Sequence, residues 1–365
     1  MSKPPFRADH VGSLLRPLEL SDARQQWRDG TLDAEGLKAL EDQHIREIIN
    51  FQEDIGLKSI TDGEFRRDYW HLDFITGFEG ITLNEETYGH AFSGGGTVGT
   101  FSITDKVGKH SGYMRDHFKF LNENTTQTAK FCIPGPGMTH LRSGRQGISE
   151  TAYPDMESYW PDIIAAYAAE INEMAELGCT YLQIDDVSFA YLCDEDFRKD
   201  IVERGDDPDQ LLVTYAQALS QAIADRPAGM TVTTHMCRGN FQSTWMTSGG
   251  YESVAERMFD EMKVDGYFME YDSDRAGGFE PLRFVPKDRM VVLGLITSKT
   301  PELESKDDIK RRIDEAAQYI DLDQLCLSPQ CGFSSTHHGN NLTRDEQRRK
   351  LELVVEIAND VWGEI

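Results

Sequence analysis

A chain of 365 residues with 39% hydrophobic content has ample material for a core, and its length suits either one large α/β barrel or two small domains. Its formal charge of −26, from 37 basic against 63 acidic residues, repels nucleic acid and anionic lipid at long range, so a small-molecule ligand is the default partner. The N-terminus MSKPPFRADH lacks an apolar signal region, no stretch approaches the roughly 18–20 apolar residues of a membrane span, and six irregularly spaced cysteines read as reduced thiols, which together predict a cytoplasmic protein. A monomer or homodimer is expected, without a sequence feature that marks an interface.

In chain order, short apolar runs alternate with longer amphipathic stretches, the mark of repeated βα units around a parallel sheet. Strands are predicted near 6–11, 58–61, 129–133, 181–184, 231–234, 266–269, 290–295 and 324–327. Between them lie helical patterns such as AEGLKALEDQHIREIINFQEDIG, and DEQRRKLELVVEIANDVW closes the last unit. This is the order of a (β/α)8 TIM barrel, an α/β fold forming one domain over 1–365. The rhythm breaks between 74 and 128, where HAFSGGGTVGTFSI predicts a β-hairpin or meander inserted after strand two. That insertion is either a lid over one barrel end or a surface decoration.

The segments that follow the strands are HVGS, DGEFRRD, PGP, DD, HMC, EYDSD, TSK and SPQCG. In a parallel barrel all of them meet at the C-terminal face, where such barrels build active sites, and this polar convergence favours an enzyme over a scaffold. In THMCRGN, side chains alternate along the strand, so His235 and Cys237 point the same way. The same barrel logic brings Glu270 in FMEYD and Cys331 in SPQCG to that rim. One histidine, two cysteines and one carboxylate suit Zn²⁺, and thiolates argue against Mg²⁺ or Ca²⁺. Taken alone, His-x-Cys is equally a buried thiol beside a satisfied histidine. Cys132, Cys179, Cys193 and Cys326 lie in apolar runs or on helix faces and read as small core residues.

THMC with FMEYD and SPQCG, HVGS near the N-terminus, DGE after strand two and QIDD after strand four together resemble the catalytic C-terminal barrel of cobalamin-independent methionine synthase, over almost the whole chain. The resemblance implies a zinc-dependent methyltransferase of methionine biosynthesis, moving a methyl group from 5-methyltetrahydrofolate, or its polyglutamate, to homocysteine. It implies His235, Cys237, Glu270 and Cys331 as zinc ligands. It also implies that Gly12 and Ser13 hold the substrate carboxylate while Glu64 and Asp185 bind its amino group. Read without it, Glu64 pairs with neighbouring arginines, and Asp185 and Asp186 cap the next helix.

The sequence departs from that family on the methyl-donor side. The chain starts at the catalytic barrel, without the N-terminal barrel that helps bind the polyglutamate tail. Arg142 stands where the family has a tryptophan that stacks on the folate, and Tyr191 near its acidic residue. Ser298 and Lys299 replace the histidine that serves there as proton donor. Methyl transfer from a tertiary amine needs a general acid, so Lys299 is expected either to deliver that proton or to bind an anionic part of the donor. Arg16, Arg66, Arg142 and Arg283 are candidates for a basic strip facing a polyanionic donor. Three rivals remain: transfer from a corrinoid or other donor to a thiol, a metal-free barrel enzyme akin to uroporphyrinogen decarboxylase, and a non-catalytic zinc or amino-acid binding protein.

Overall fold

The computed structural model describes residues 3–84 and 99–363. Seven parallel strands form one curved sheet: β1 Ser59–Ile60, β4 Thr128–Pro134, β5 Tyr181–Asp185, β6 Thr231–Met236, β7 Gly266–Glu270, β8 Met290–Ile296 and β9 Leu325–Pro329, in that spatial order. Every residue of β5, β6, β7 and β9 is buried, because crossover helices cover one face and the barrel interior covers the other. The fold is α/β and TIM-barrel-like.

Local chemistry sets the helix ends. Asp33 caps helix Ala34–Ile55 by accepting from the Gly36 N–H, and Gly56 closes it with a φ of 97°, a left-handed conformation that costs a side chain least when it is absent. The last helix, Arg344–Trp362, starts with a reciprocal capping box between Thr343 and Glu346. Its apolar stripe, including Leu351, Val354 and Ile357, packs into the same core as the strands.

The first predicted strand, 6–11, is not a ladder strand. It makes a single parallel bridge, Ala8 to Leu327, with hydrogen bonds from Asp9 N–H to the Leu327 carbonyl (3.0 Å) and from Leu327 N–H to the Arg7 carbonyl (2.9 Å). On its other side, side chains replace the backbone ladder. The Ser59 hydroxyl donates to the Asp9 carboxylate (2.8 Å), and the His10 ring meets the Ser59 carbonyl (3.0 Å). Asp9 is also held by Lys130 (3.0 Å) and the Tyr181 hydroxyl (2.8 Å), all fully buried. The segment therefore sits between the two edge strands, fixed by a satisfied charge cluster instead of by repeated backbone bonds.

Within 74–128, β2 Ile81–Leu83 and β3 Phe101–Ile103 pair antiparallel. The Gly-rich stretch of the predicted insertion falls largely on 85–98, outside the described residues. No helix among the described residues is long and apolar enough to cross a membrane.

Candidate metal centre and substrate cavities

The parallel register places Asp185 beside His235 at the ends of β5 and β6, and this alignment produces the contact between His235 Nδ1 and Asp185 Oδ1 (3.3 Å). Just beyond β6 lies Cys237, and just beyond β9 lies Cys331, with their sulfurs 3.3 Å apart. The ligating atoms of His235, Cys237 and Cys331 all fall within 4.8 Å of one another. Zn–S bonds of ~2.3 Å at tetrahedral angles put two sulfurs roughly 3.8 Å apart, so a modest widening of the thiol pair accepts the ion. The Asp185 contact also fits a metal-binding histidine, whose second nitrogen ordinarily meets a carboxylate or carbonyl.

Glu270, the expected fourth ligand, lies outside this group. Its fully buried carboxylate accepts from the Arg238 backbone N–H (3.0 Å) and is gripped by the Arg275 guanidinium, which also reaches Asp272 (3.0 Å). A carboxylate with no solvent must find opposite charge, and Arg275 supplies it. Burial alone would raise its pKa, but Lys299, Arg275 and Arg238 together hold it below the usual glutamate range.

The thiol pair is electrostatically uneven. The hydrogen bond from Cys237 and the charges of His235 and Lys299 outweigh burial and bring the Cys331 thiol down to about 6. Cys237, as the donor and buried beside that thiolate, is pushed well above the ordinary cysteine value. For His235, burial opposes protonation, but the Asp185 hydrogen bond and the Cys331 charge prevail and raise its pKa.

Beside these residues is a cavity of about 40 Å³, with room for about three waters, lined by Ser13, Glu64, Asp185, His235, Cys237 and Cys331 among others. Glu64 adopts a φ of 60°, an uncommon conformation for a residue with a side chain, and its Oε2 is buried with no partner among the described residues. Burial pushes its pKa up to about 8, against the pull of Arg67, whose guanidinium is 3.6 Å away. Next to Glu64 and Asp185 is Cys132, whose sulfur lies within 4.8 Å of carboxylate oxygens of both. Gly12 has a φ of 133°, and a Cβ there would stand 2.7 Å from the Cys132 sulfur, so this turn requires glycine. The two aspartates after β5 divide the readings given above. Asp186 accepts from the Ser188 N–H (2.9 Å) at the start of the next helix, whereas Asp185 faces His235 and the Gln183 amide (2.7 Å).

A second chamber of about 540 Å³ shares His71, Arg142 and Tyr191 with the first. Arg142 and Tyr191 thus line both cavities. The other expected basic residues do not. Arg16 donates to the carbonyls of Glu64 (2.7 Å), Arg67 (2.9 Å) and Ser334 (3.0 Å), a clamp on three loops. Arg66 pairs with Glu41 (3.2 Å) and Asp42 (2.6 Å), and Arg283 with Glu252 (2.9 Å), away from both cavities. Lys299 is 6% exposed and lies near the Gly239 carbonyl (3.5 Å) on the sulfur side. Sequence reasoning missed Arg275, Trp70 and His71, for which the only available signal was position just after a strand tail.

The whole sheet matches the cobalamin-independent synthase catalytic domain model, over residues 6–360. The chain belongs to that family. Among its relatives, a Bacillus subtilis protein called uncharacterized protein YxjH is 46% identical over 99% of this chain and 96% of its own length. The 5-methyltetrahydropteroyltriglutamate–homocysteine methyltransferase of Bacillus mycoides is 23% identical over 96% of this chain, which spans 42% of that longer protein. A Listeria monocytogenes crystal structure, described as a candidate vitamin-B12 independent methionine synthase, superposes with a TM-score of 0.80 at 37% identity, covering both chains fully. A B12-independent methionine synthase from Shewanella, solved with selenomethionine, shares the fold at 19% identity and a TM-score of 0.73, covering 98% of this chain and 97% of that one.

Proposed function

We propose that this chain is a zinc-dependent methyltransferase that methylates a thiol, with homocysteine as acceptor, 5-methyltetrahydrofolate or its polyglutamate as donor, and methionine as product. Its catalytic unit is the barrel within residues 6–360, with Asn84 and Phe101 of the 74–128 insertion lining the larger cavity. The observation that carries this reading is the meeting of His235, Cys237 and Cys331 at a cavity that Glu64, Asp185 and Ser13 also line. These are a site for sulfur and a site for an amino acid, side by side.

His235, Cys237 and Cys331 would hold the metal, with Glu270 as fourth ligand once it leaves Arg275. Bound there, Zn²⁺ supplies the charge that makes a substrate thiol a thiolate at neutral pH. Glu64 and Asp185 attract the substrate ammonium, and the turn at Gly12 and Ser13 offers donors to its carboxylate. The sulfur attacks the methyl carbon, an S–C bond forms as the N–C bond of the donor breaks, and the departing nitrogen takes a proton. Arg142 and Tyr191 face the donor from the shared mouth. Lys299 adds positive charge beside Cys331 and Glu270, from where it serves proton delivery or donor binding.

The test is metal content and turnover together. Purified, reduced protein is expected to contain one zinc per chain and to form methionine from homocysteine and 5-methyltetrahydrofolate without cobalamin. The C237S and C331S proteins are expected to lose both. Zinc-free protein that still turns over would refute the proposal, and so would zinc-loaded protein that methylates no thiol.

A further inference from the structure

His71 stands apart from the other buried polar groups. It is 1% exposed, neither ring nitrogen has a hydrogen-bond partner among the described residues, and it lines both the small cavity beside the sulfurs and the larger outer chamber. Leaving a buried donor and a buried acceptor unmet carries a desolvation penalty that folding alone gives no reason to accept. The ring is held firmly all the same. The preceding Trp70 N–H donates to the Ser335 carbonyl (3.0 Å), four residues past Cys331, and the Tyr69–Thr336 bridge ties the same segment to the loop that carries that ligand. Trp70 packs against His71 with ring centroids 4.7 Å apart at 42°.

We propose that His71 and Trp70 form the recognition element for the flat nitrogen heterocycle of the methyl donor, at the junction of the two chambers. This rests on the methyltransferase reading and names the residues that read the donor within it. Burial, then the nearby Arg142 charge, hold His71 well below the ordinary histidine value, so at neutral pH it is an uncharged imidazole. Such a ring offers one N–H and one lone pair on different edges. A pterin carries donors and acceptors around its rim and so meets either nitrogen, whichever tautomer faces it, whereas a methyl thioether has no N–H or O–H to donate. Trp70 supplies an apolar ring beside the imidazole, and the 540 Å³ outer chamber is of the size that takes a small-molecule ligand. The family tryptophan expected near Arg142 thus has a counterpart in this chain on a different loop.

The experiment measures 5-methyltetrahydrofolate and methionine binding separately, by calorimetry and by tryptophan fluorescence, on zinc-loaded wild type, H71L, H71Q and W70F. In H71L, folate is expected to bind at least tenfold more weakly while methionine affinity and zinc content stay within twofold. In H71Q, which keeps one donor and one acceptor, most of the affinity should return. In W70F the fluorescence change on adding folate should shrink. Wild-type folate affinity in H71L overturns the inference alone, and so does equal loss of folate and methionine binding or failure of H71Q to recover. Wild-type protein that binds zinc and methionine but no folate overturns both this inference and the folate half of the proposed function, leaving the thiol half standing.

Discussion

Replacing Glu64 with glutamine tests how the cavity receives an amino acid. With its pKa at about 8, the carboxyl is ~90% protonated at pH 7 in the free protein, and deprotonating it there costs ~1.4 kcal/mol. An ammonium about 4 Å away at an effective dielectric near 20 returns ~4 kcal/mol, so binding ionises the group. Methionine is the right titrant because it has no thiol proton to confuse the count. At pH 7, calorimetry in buffers of different ionisation enthalpy should show about 0.9 proton released per methionine bound, with affinity rising about tenfold from pH 6 to 7 and levelling above 8. The E64Q protein should bind more weakly and release almost none. Stability gives a second readout. The folded pKa of about 8 lies above the ordinary value of 4.5, so the folded state holds the extra proton, and the wild type loses stability as pH rises through that window. Ligand-free E64Q should therefore gain about 3 kcal/mol on wild type between pH 6 and 9. Equal proton release by the two proteins would refute the reasoning, as would parallel stability profiles.

Substituting Arg275 with alanine strips the buried Glu270 of its guanidinium, which should cost the metal-free protein about 3 kcal/mol. Zinc should then raise the Tm of R275A by more than that of wild type, because the freed carboxylate has a new partner. Equal increments in a melting experiment would disprove the exchange. The G12A protein combines a φ of 133° with a Cβ placed 2.7 Å from the Cys132 sulfur, and should lose about 1–3 kcal/mol in urea unfolding. For K299A, turnover should fall at least tenfold while zinc content stays at one per chain; unchanged methyl transfer would remove Lys299 from the mechanism.

The barrel order was legible because a parallel sheet covered on both faces writes itself as β-branched apolar runs separated by amphipathic helices, and seven of the eight predicted strands lie in the ladder. Segment 6–11 was misjudged because Asp9 and His10 spend their polar side chains on Ser59, Lys130 and Tyr181, a use of hydrogen bonds that periodicity does not register. Among the expected ligands, His235 and Cys237 were readable from spacing of two along a strand, and Cys331 from its place after the last strand. Glu270 lies at the end of the expected strand, and its pairing with Arg275 from the loop beyond was not legible in the sequence.

The sequence by itself determined the repeating βα pattern, the acidic surface and the rim of polar strand tails, because these depend on local periodicity and composition. Tertiary structure alone decided which of those polar groups meet. The 3.3 Å sulfur contact, the place of His71 between two chambers, and the capture of Arg16 by the Glu64 and Ser334 segments and of Arg66 by helix Ala34–Ile55 all depend on residues apart in the chain. Their distances follow from how the barrel closes and packs, and no local pattern of residues encodes that.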